Sequence, residues 1–159
     1  MGMVTVESPE GERQNVDDGD LSAYDGWTVV GSWTVPLDVL QAAAWERVKA
    51  LRDQHKAAGV TVANVGPVQT DDVSTANITG LVVMANVALA QQTAFSEPFT
   101  LADNTVVTFD APGMIAMGVA VGQYVAAVYA RARALRDQIF AADVTADALA
   151  AIDVTAGWP

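Results

Sequence analysis

The sequence predicts an α+β fold that is predominantly α-helical, with three main helices, one of them long, two small β-hairpins and a short C-terminal helix. Three observations carry this. Residues 110–140 hold a helical period without interruption. Two windows, residues 73–96 and 111–130, contain no charged side chain. Between the helical patterns lie two short runs of strand formers, each split by turn residues.

The long helix is the clearest element. Asp110 is a natural N-cap, and Pro112 follows in the first turn, where its missing N–H costs nothing. Nothing then stops the helix for about 28 residues, roughly 42 Å. Its apolar positions are Met114, Met117, Val121, Tyr124, Val128, Ala132, Leu135 and Ile139, at steps of 3, 4, 3, 4, 4, 3 and 4. Its charges, Arg131, Arg133, Arg136 and Asp137, fall in the last third. The first two thirds are therefore expected to be buried on most sides.

In chain order, residues 1–35 differ from the rest. They hold seven of the 19 acids and one base, Arg13. They are expected to form a mobile acidic arm, followed by a strand or hairpin at Trp27-Thr28-Val29-Val30-Gly31-Ser32-Trp33-Thr34-Val35. The cluster Asp17-Asp18-Gly19-Asp20 lacks the alternating ligands and distal Glu of a calcium-binding EF-hand, and reads as a solvated loop. Residues 36–159 are expected to form the helical domain. Its first helix spans 36–58, between Pro36 and Gly59. Leu37, Leu40, Ala44, Val48 and Leu51 make its apolar stripe, with His55 next in the series. Its other face carries four of the eight basic residues and pairs such as Lys49 with Asp53 at i, i+4. A hairpin follows over 60–70, with its turn at Gly66-Pro67.

The second helix begins at Asp71-Asp72-Val73-Ser74, where Asp71, Asp72 and Ser74 are all plausible caps, and runs to about Gln92. It is apolar nearly all round and is expected to be central, with Gly80 allowing close helix approach. A second hairpin pairs Phe99-Thr100-Leu101 with Thr105-Val106-Val107-Thr108-Phe109 across Ala102-Asp103-Asn104. The last helix, near 145–150, is capped by Asp143 or Thr145. Trp158 and Pro159 are expected to anchor the tail on the first helix or a hairpin, because a free indole forgoes about 2–3 kcal/mol of burial.

Composition narrows the function. A net charge of -11 argues against nucleic acid and anionic membrane surfaces. With no cysteine and a single histidine, His55, there is no basis for a metal site or cofactor. Residues 118–122 carry two glycines, but no strand leads into them, so they are not a dinucleotide fingerprint. No nucleophile with a base is legible, and the expectation is that the chain is not an enzyme. Both uncharged windows are long enough to span a bilayer. The first, however, holds Thr75, Asn77, Thr79, Asn86, Gln91 and Gln92 and lacks basic flanks. Helices covered by neighbouring chains account better for both windows. Ile78, Leu81, Val82, Val87, Met114, Met117, Val121, Tyr124 and Val128 are expected to form the core and an oligomer interface.

Residues 44–159 resemble a family of uncharacterised domains at the C-termini of short bacteriophage and prophage proteins labelled tail-fibre proteins. The resemblance begins with Trp45-Glu46-Arg47-Val48-Lys49-Ala50-Leu51-Arg52-Asp53. It continues through Asp71-Asp72, Asn77-Ile78-Thr79-Gly80, Ala102-Asp103-Asn104-Thr105-Val106-Val107-Thr108 and Gly113-Met114-Ile115-Ala116. It ends with Ala134-Leu135-Arg136-Asp137 and Ile152-Asp153-Val154-Thr155-Ala156-Gly157-Trp158-Pro159. The resemblance implies a structural role in a phage tail, in the virion, for a protein made in the bacterial cytoplasm. The implied partners are copies of itself, a trimer by preference, other tail proteins and a host cell-surface receptor. The alternative is a tail-fibre assembly chaperone that leaves before the particle matures. No catalytic residue or cofactor comes with the resemblance.

Overall fold

The computed structural model describes residues 3–19, 21–32 and 34–159. The chain divides into two compact units, Met1–Leu40 and Gln41–Pro159. The fold is α+β. The division falls within the first helix, five residues beyond the expected boundary at 35/36.

The first unit corrects the expectation of a mobile arm. Its strands β1 (Met3–Glu7), β2 (Arg13–Asp17) and β3 (Thr28–Ser32) form an antiparallel sheet in the order β2-β1-β3. Val4 faces Val16 across one ladder, and Val6 faces Val29 across the other. Between Thr5 and Val6 the β1–β3 register shifts by a bulge. Val6 and Val16 are buried. The acidic composition hid this sheet, yet its acids are used structurally. Glu7 pairs with Arg13 directly opposite in the register. Asp17 accepts the Gly19 amide at 2.9 Å where β2 ends. Ser8, itself buried, ties the β1–β2 turn by accepting from the Glu10 and Glu12 amides. Of the expected extended stretch 27–35, residues 28–32 form β3, while Trp33, like Asp20 of the acidic cluster, lies outside the described residues.

In the second unit the elements are α1 (Leu37–Ala57, begun in the first unit), β4 (Val60–Val62), β5 (Gly66–Val68) and α2 (Asp72–Gln91). They continue with β6 (Glu97–Thr100), β7 (Val106–Phe109), α3 (Ala111–Ile139) and α4 (Ala146–Ala150). α3 is the axis. Asp110 caps it, accepting the Gly113 amide at 2.8 Å. Of its predicted stripe, every position is buried except Tyr124, which is half-buried. The upper half of the stripe packs with Val62 and Val68 of the first hairpin, Ile78 and Ala85 of α2, and Leu101 and Phe109 of the second hairpin.

Along the lower half, α1 runs antiparallel to α3. Gln41 donates to the Ile139 carbonyl at 2.8 Å near one end, and Tyr124 donates to the His55 carbonyl at 2.7 Å near the other. Burial pushes the Tyr124 hydroxyl up from its ordinary pKa. α2 also runs against α3, with Asp72 and Thr75 beside Val125 and Tyr129 and with Val82 over Gly118. A Cβ on Gly118 would run into the Val82 side chain, so this glycine sets the spacing of the two helices. Gly80, expected in that role, faces open space.

Smaller corrections have local causes. The first hairpin turns at residues 63–65, where Asn64 takes the left-handed conformation (φ 61°), and Gly66 and Pro67 lie inside β5. On α1, Lys49 pairs with Glu46 at 2.6 Å, and Asp53 is claimed by Arg52 at 2.8 Å, so the expected Lys49–Asp53 pair does not form. Thr70 is fully buried but satisfied. Its hydroxyl donates to the Lys56 carbonyl and accepts from the Gly59 amide, which fixes the end of α1 to the hairpin.

The tail packs as expected, on the first helix. The Trp158 indole stacks on His55, with ring centroids 5.0 Å apart and planes 9° from parallel. Its N–H donates to the Val154 carbonyl at 2.9 Å. Arg131 of α3 donates to the Ala156 carbonyl at 3.0 Å and to that of Asp153 at 3.4 Å. Pro159 is exposed. Trp158→Ala is expected to cost about 2–3 kcal/mol and lower Tm by about 5–10 °C in a thermal melt. An unchanged Tm would mean that the stack contributes nothing to the fold.

Asp71 caps α2, accepting from the Val73 and Ser74 amides and from the Ser74 hydroxyl. The Ser74 bonds foremost hold its carboxyl below the ordinary value of 3.8. A carboxyl lowered in the folded state binds fewer protons there than in the unfolded chain. Its contribution is therefore complete above about pH 4 and is lost as pH falls through the folded value. Asp71→Asn keeps a capping side chain but removes the titration. Denaturant melts between about pH 5 and about pH 2 should show a shallower acid loss for the variant than for the parent chain.

Candidate functional site

The residues expected at an oligomer interface divide by environment. Ile78, Met114, Met117, Val121 and Val128 are buried inside the unit, and Leu81, Val82 and Tyr124 are half-buried. Their work is done within one chain. Val87 alone lies open, 48% exposed. It is joined by residues the sequence offered no reason to single out: Val73 at 70%, Val83 and Met84 at 57%, and Val119 of α3 at 53%.

The expectation that α2 is central and that α3 is buried on most sides is thus corrected. Each helix buries one face, and the opposite face is open. It is uncharged over residues 73–91 of α2 and 111–130 of α3, while the last third of α3 carries Arg131, Arg133, Arg136 and Asp137. On α2 the buried positions are Ile78, Ala85 and Ala88, with Ser74, Leu81 and Val82 half-buried beside them. A helix apolar on every side gives no period from which to choose its covered face, and small residues blur the choice further. Near the end of α2, Val83, Met84, Val87, Ala88, Gln91 and Phe95 line a groove of about 330 Å³. By length and composition α2 and α3 are each able to cross a membrane, a test that core helices of soluble proteins also pass.

A second concavity, of about 340 Å³, lies where α1 ends and α2 begins. Lys56, Asp72, Thr75, Thr79, Gly122 and Tyr129 form its rim. Every charged group there is already engaged. Lys56 is paired with Asp72, whose hydrogen bond raises the ammonium pKa. Arg52 lies 5.5 Å from the centre of the Tyr129 ring and is bound to Asp53, whose carboxyl it holds below the usual range. The hydroxyls of Thr75 and Thr79 donate to the carbonyls of Asp71 at 2.6 Å and Thr75 at 2.8 Å. These bonds leave neither hydroxyl positioned beside a base. His55 has its face against Trp158. Among the described residues, no three His, Cys, Asp or Glu side chains are grouped to hold a metal ion. The other candidate is the open, uncharged surface formed by Val73, Val83, Met84 and Val87 of α2 and by Val119 of α3.

No curated protein and no solved structure matches the chain. The family model described as a domain of unknown function (DUF4376) matches residues 39–156, most of the second unit, and the chain belongs to that family.

Proposed function

We propose that the chain is a structural module of a bacteriophage or prophage tail, in the tail fibre or close to the receptor-binding end, that works by assembling with copies of itself and with other tail proteins. The observation that carries the assembly half of this reading is the open, charge-free surface over residues 73–91 of α2 and 111–130 of α3 in a chain of net charge -11. Apolar surface left in water marks an interaction site, and a face without charge is where strongly acidic copies can approach one another. A bilayer suits this face less well. Asn77, Thr79, Asn86 and Gln91 are all exposed on α2 and would meet lipid or need partners within it.

The tail half of the reading rests on the resemblance of residues 44–159 to tail-fibre-labelled phage and prophage proteins. A trimer is the favoured assembly, the virion the site of action, and the bacterial cytoplasm the place of synthesis. A host cell-surface receptor is a further partner at that end of the tail. Assembly needs no cofactor and no catalytic residue.

Light scattering at about micromolar concentration is expected to give an integral multiple of 16.6 kDa, three copies by preference. A well-folded monomer would overturn the assembly half. Mass spectrometry of purified particles is expected to find the protein in the tail. Its presence in infected cells but absence from particles would replace the structural role with that of an assembly chaperone.

A further inference from the structure

We infer that the open face of α2 is a second heptad seam, and that it packs in parallel and in register against α2 of other copies of this chain. The inference rests on the self-assembly proposed above and specifies the surface, the direction and the contacts.

The inner seam of α2 runs through Ser74, Ile78, Leu81, Ala85 and Ala88, at steps of 4, 3, 4 and 3, and faces α3. On the opposite side lie Val73, Ala76, Gly80, Val83, Val87 and Ala90, at steps of 3, 4, 3, 4 and 3. All six are exposed. This is the a/d spacing of a coiled-coil contact, sustained over about 26 Å of helix. A helix with seams on both sides belongs in a bundle of more helices than one copy supplies. Gly80 has no neighbour within 4 Å of where a Cβ would stand, so it leaves room for a backbone to approach closely.

The residues flanking the outer seam identify the occupant. In coiled coils the flanking positions carry the charges that select a partner. Here one flank is Asp72, Thr79 and Asn86, and the other is Asn77, Met84 and Gln91. Asp72 is the only charge among the six, and it is paired with Lys56 of its own chain. The seam therefore carries no signal for a partner of opposite charge and nothing that repels an identical copy.

The same flanks give the direction. In a parallel pair each first-flank residue meets the second-flank residue five positions on in the neighbouring copy. Asn86 then meets Gln91 of the next copy, and Asp72 meets Asn77. The Asn86 amide nitrogen is occupied by the Val82 carbonyl at 2.8 Å, which leaves its oxygen to accept from that glutamine. The third parallel contact sets Thr79 against Met84. An antiparallel pair with the same seam contacts would likewise set a polar group, Asn77, against Met84, but would keep one kind of polar contact, Thr79 with Asn86, in place of two. A closed ring of three identical helices also requires the parallel arrangement.

The chain has no cysteine, so single replacements report contacts cleanly. In the full chain, Val73→Cys and Val87→Cys sit near the two ends of the seam, while Val106→Cys places a control on exposed β7. Under mild oxidation both seam variants are expected to run mainly as cross-linked pairs on a non-reducing gel, and the control as single chains. Val83→Glu is expected to abolish the oligomer in light scattering while its circular dichroism stays unchanged. If light scattering shows an oligomer but neither the seam variants nor the Val73→Cys/Ala90→Cys double variant cross-links, the seam is wrong and the assembly reading stands. Cross-linking of the Val73→Cys/Ala90→Cys double variant, with neither single variant linking, overturns the parallel direction. A monomeric parent chain overturns both.

Discussion

The second unit depends on one constraint, the covering of the apolar stripe of α3. The stripe runs from Met114 to Ile139 along a single face, too long for any one neighbour to close. The two hairpins and α2 cover its upper half. The lower half has α1 beside it, tied on by the bonds from Gln41 and Tyr124. Arg131 then holds the chain after α4 to the same helix through the carbonyls of Asp153 and Ala156. The fastening bonds are few and join side chains to backbone carbonyls, so they fix position while the stripe supplies the burial.

The junction of the two halves is the most heavily tied point in the unit. The His55 carbonyl accepts from Tyr124, and the His55 ring carries Trp158. One residue later Lys56 reaches across to Asp72, and its carbonyl accepts from the buried Thr70. Within two residues, the end of α1 is joined to α3, the tail, α2 and the approach to α2. These contacts explain why the concavity there offers so little free chemistry, since its polar groups are already spent on holding elements together.

The legible parts of the sequence were those where a period and its punctuation agreed. For α3 the N-cap, the proline and eight stripe positions were all readable, because a helix covered on one face repeats that face every three to four residues. Short strands offer no such redundancy. Val4 and Val6 alternate over only five residues of β1, and the surrounding acids suggested disorder more strongly than two valines suggested a strand. Asn64 bends the first hairpin by adopting a positive φ, a conformation that Gly66 signalled more loudly two residues on. Gly118 and Gly80 look alike in sequence, and only the position of Val82 tells which one admits a helix. The open face of α2 was hidden for the opposite reason: every side of that helix was apolar, so no side stood out.

The uncharged character of residues 73–91 and 111–130 also bears on how the proposed association responds to its medium. An interface held by ion pairs weakens as salt screens them. In the assembly proposed above the seam residues carry no charge, while the net charge of -11 keeps copies apart. At low ionic strength the repulsion between molecules of charge -11 reaches far beyond the seam, whereas at physiological salt it fades within about 8 Å. Added salt should therefore favour assembly, and excluded anions such as sulfate should favour it further by making apolar exposure costlier. Cooling should act in the other direction, as the driving force of apolar burial declines.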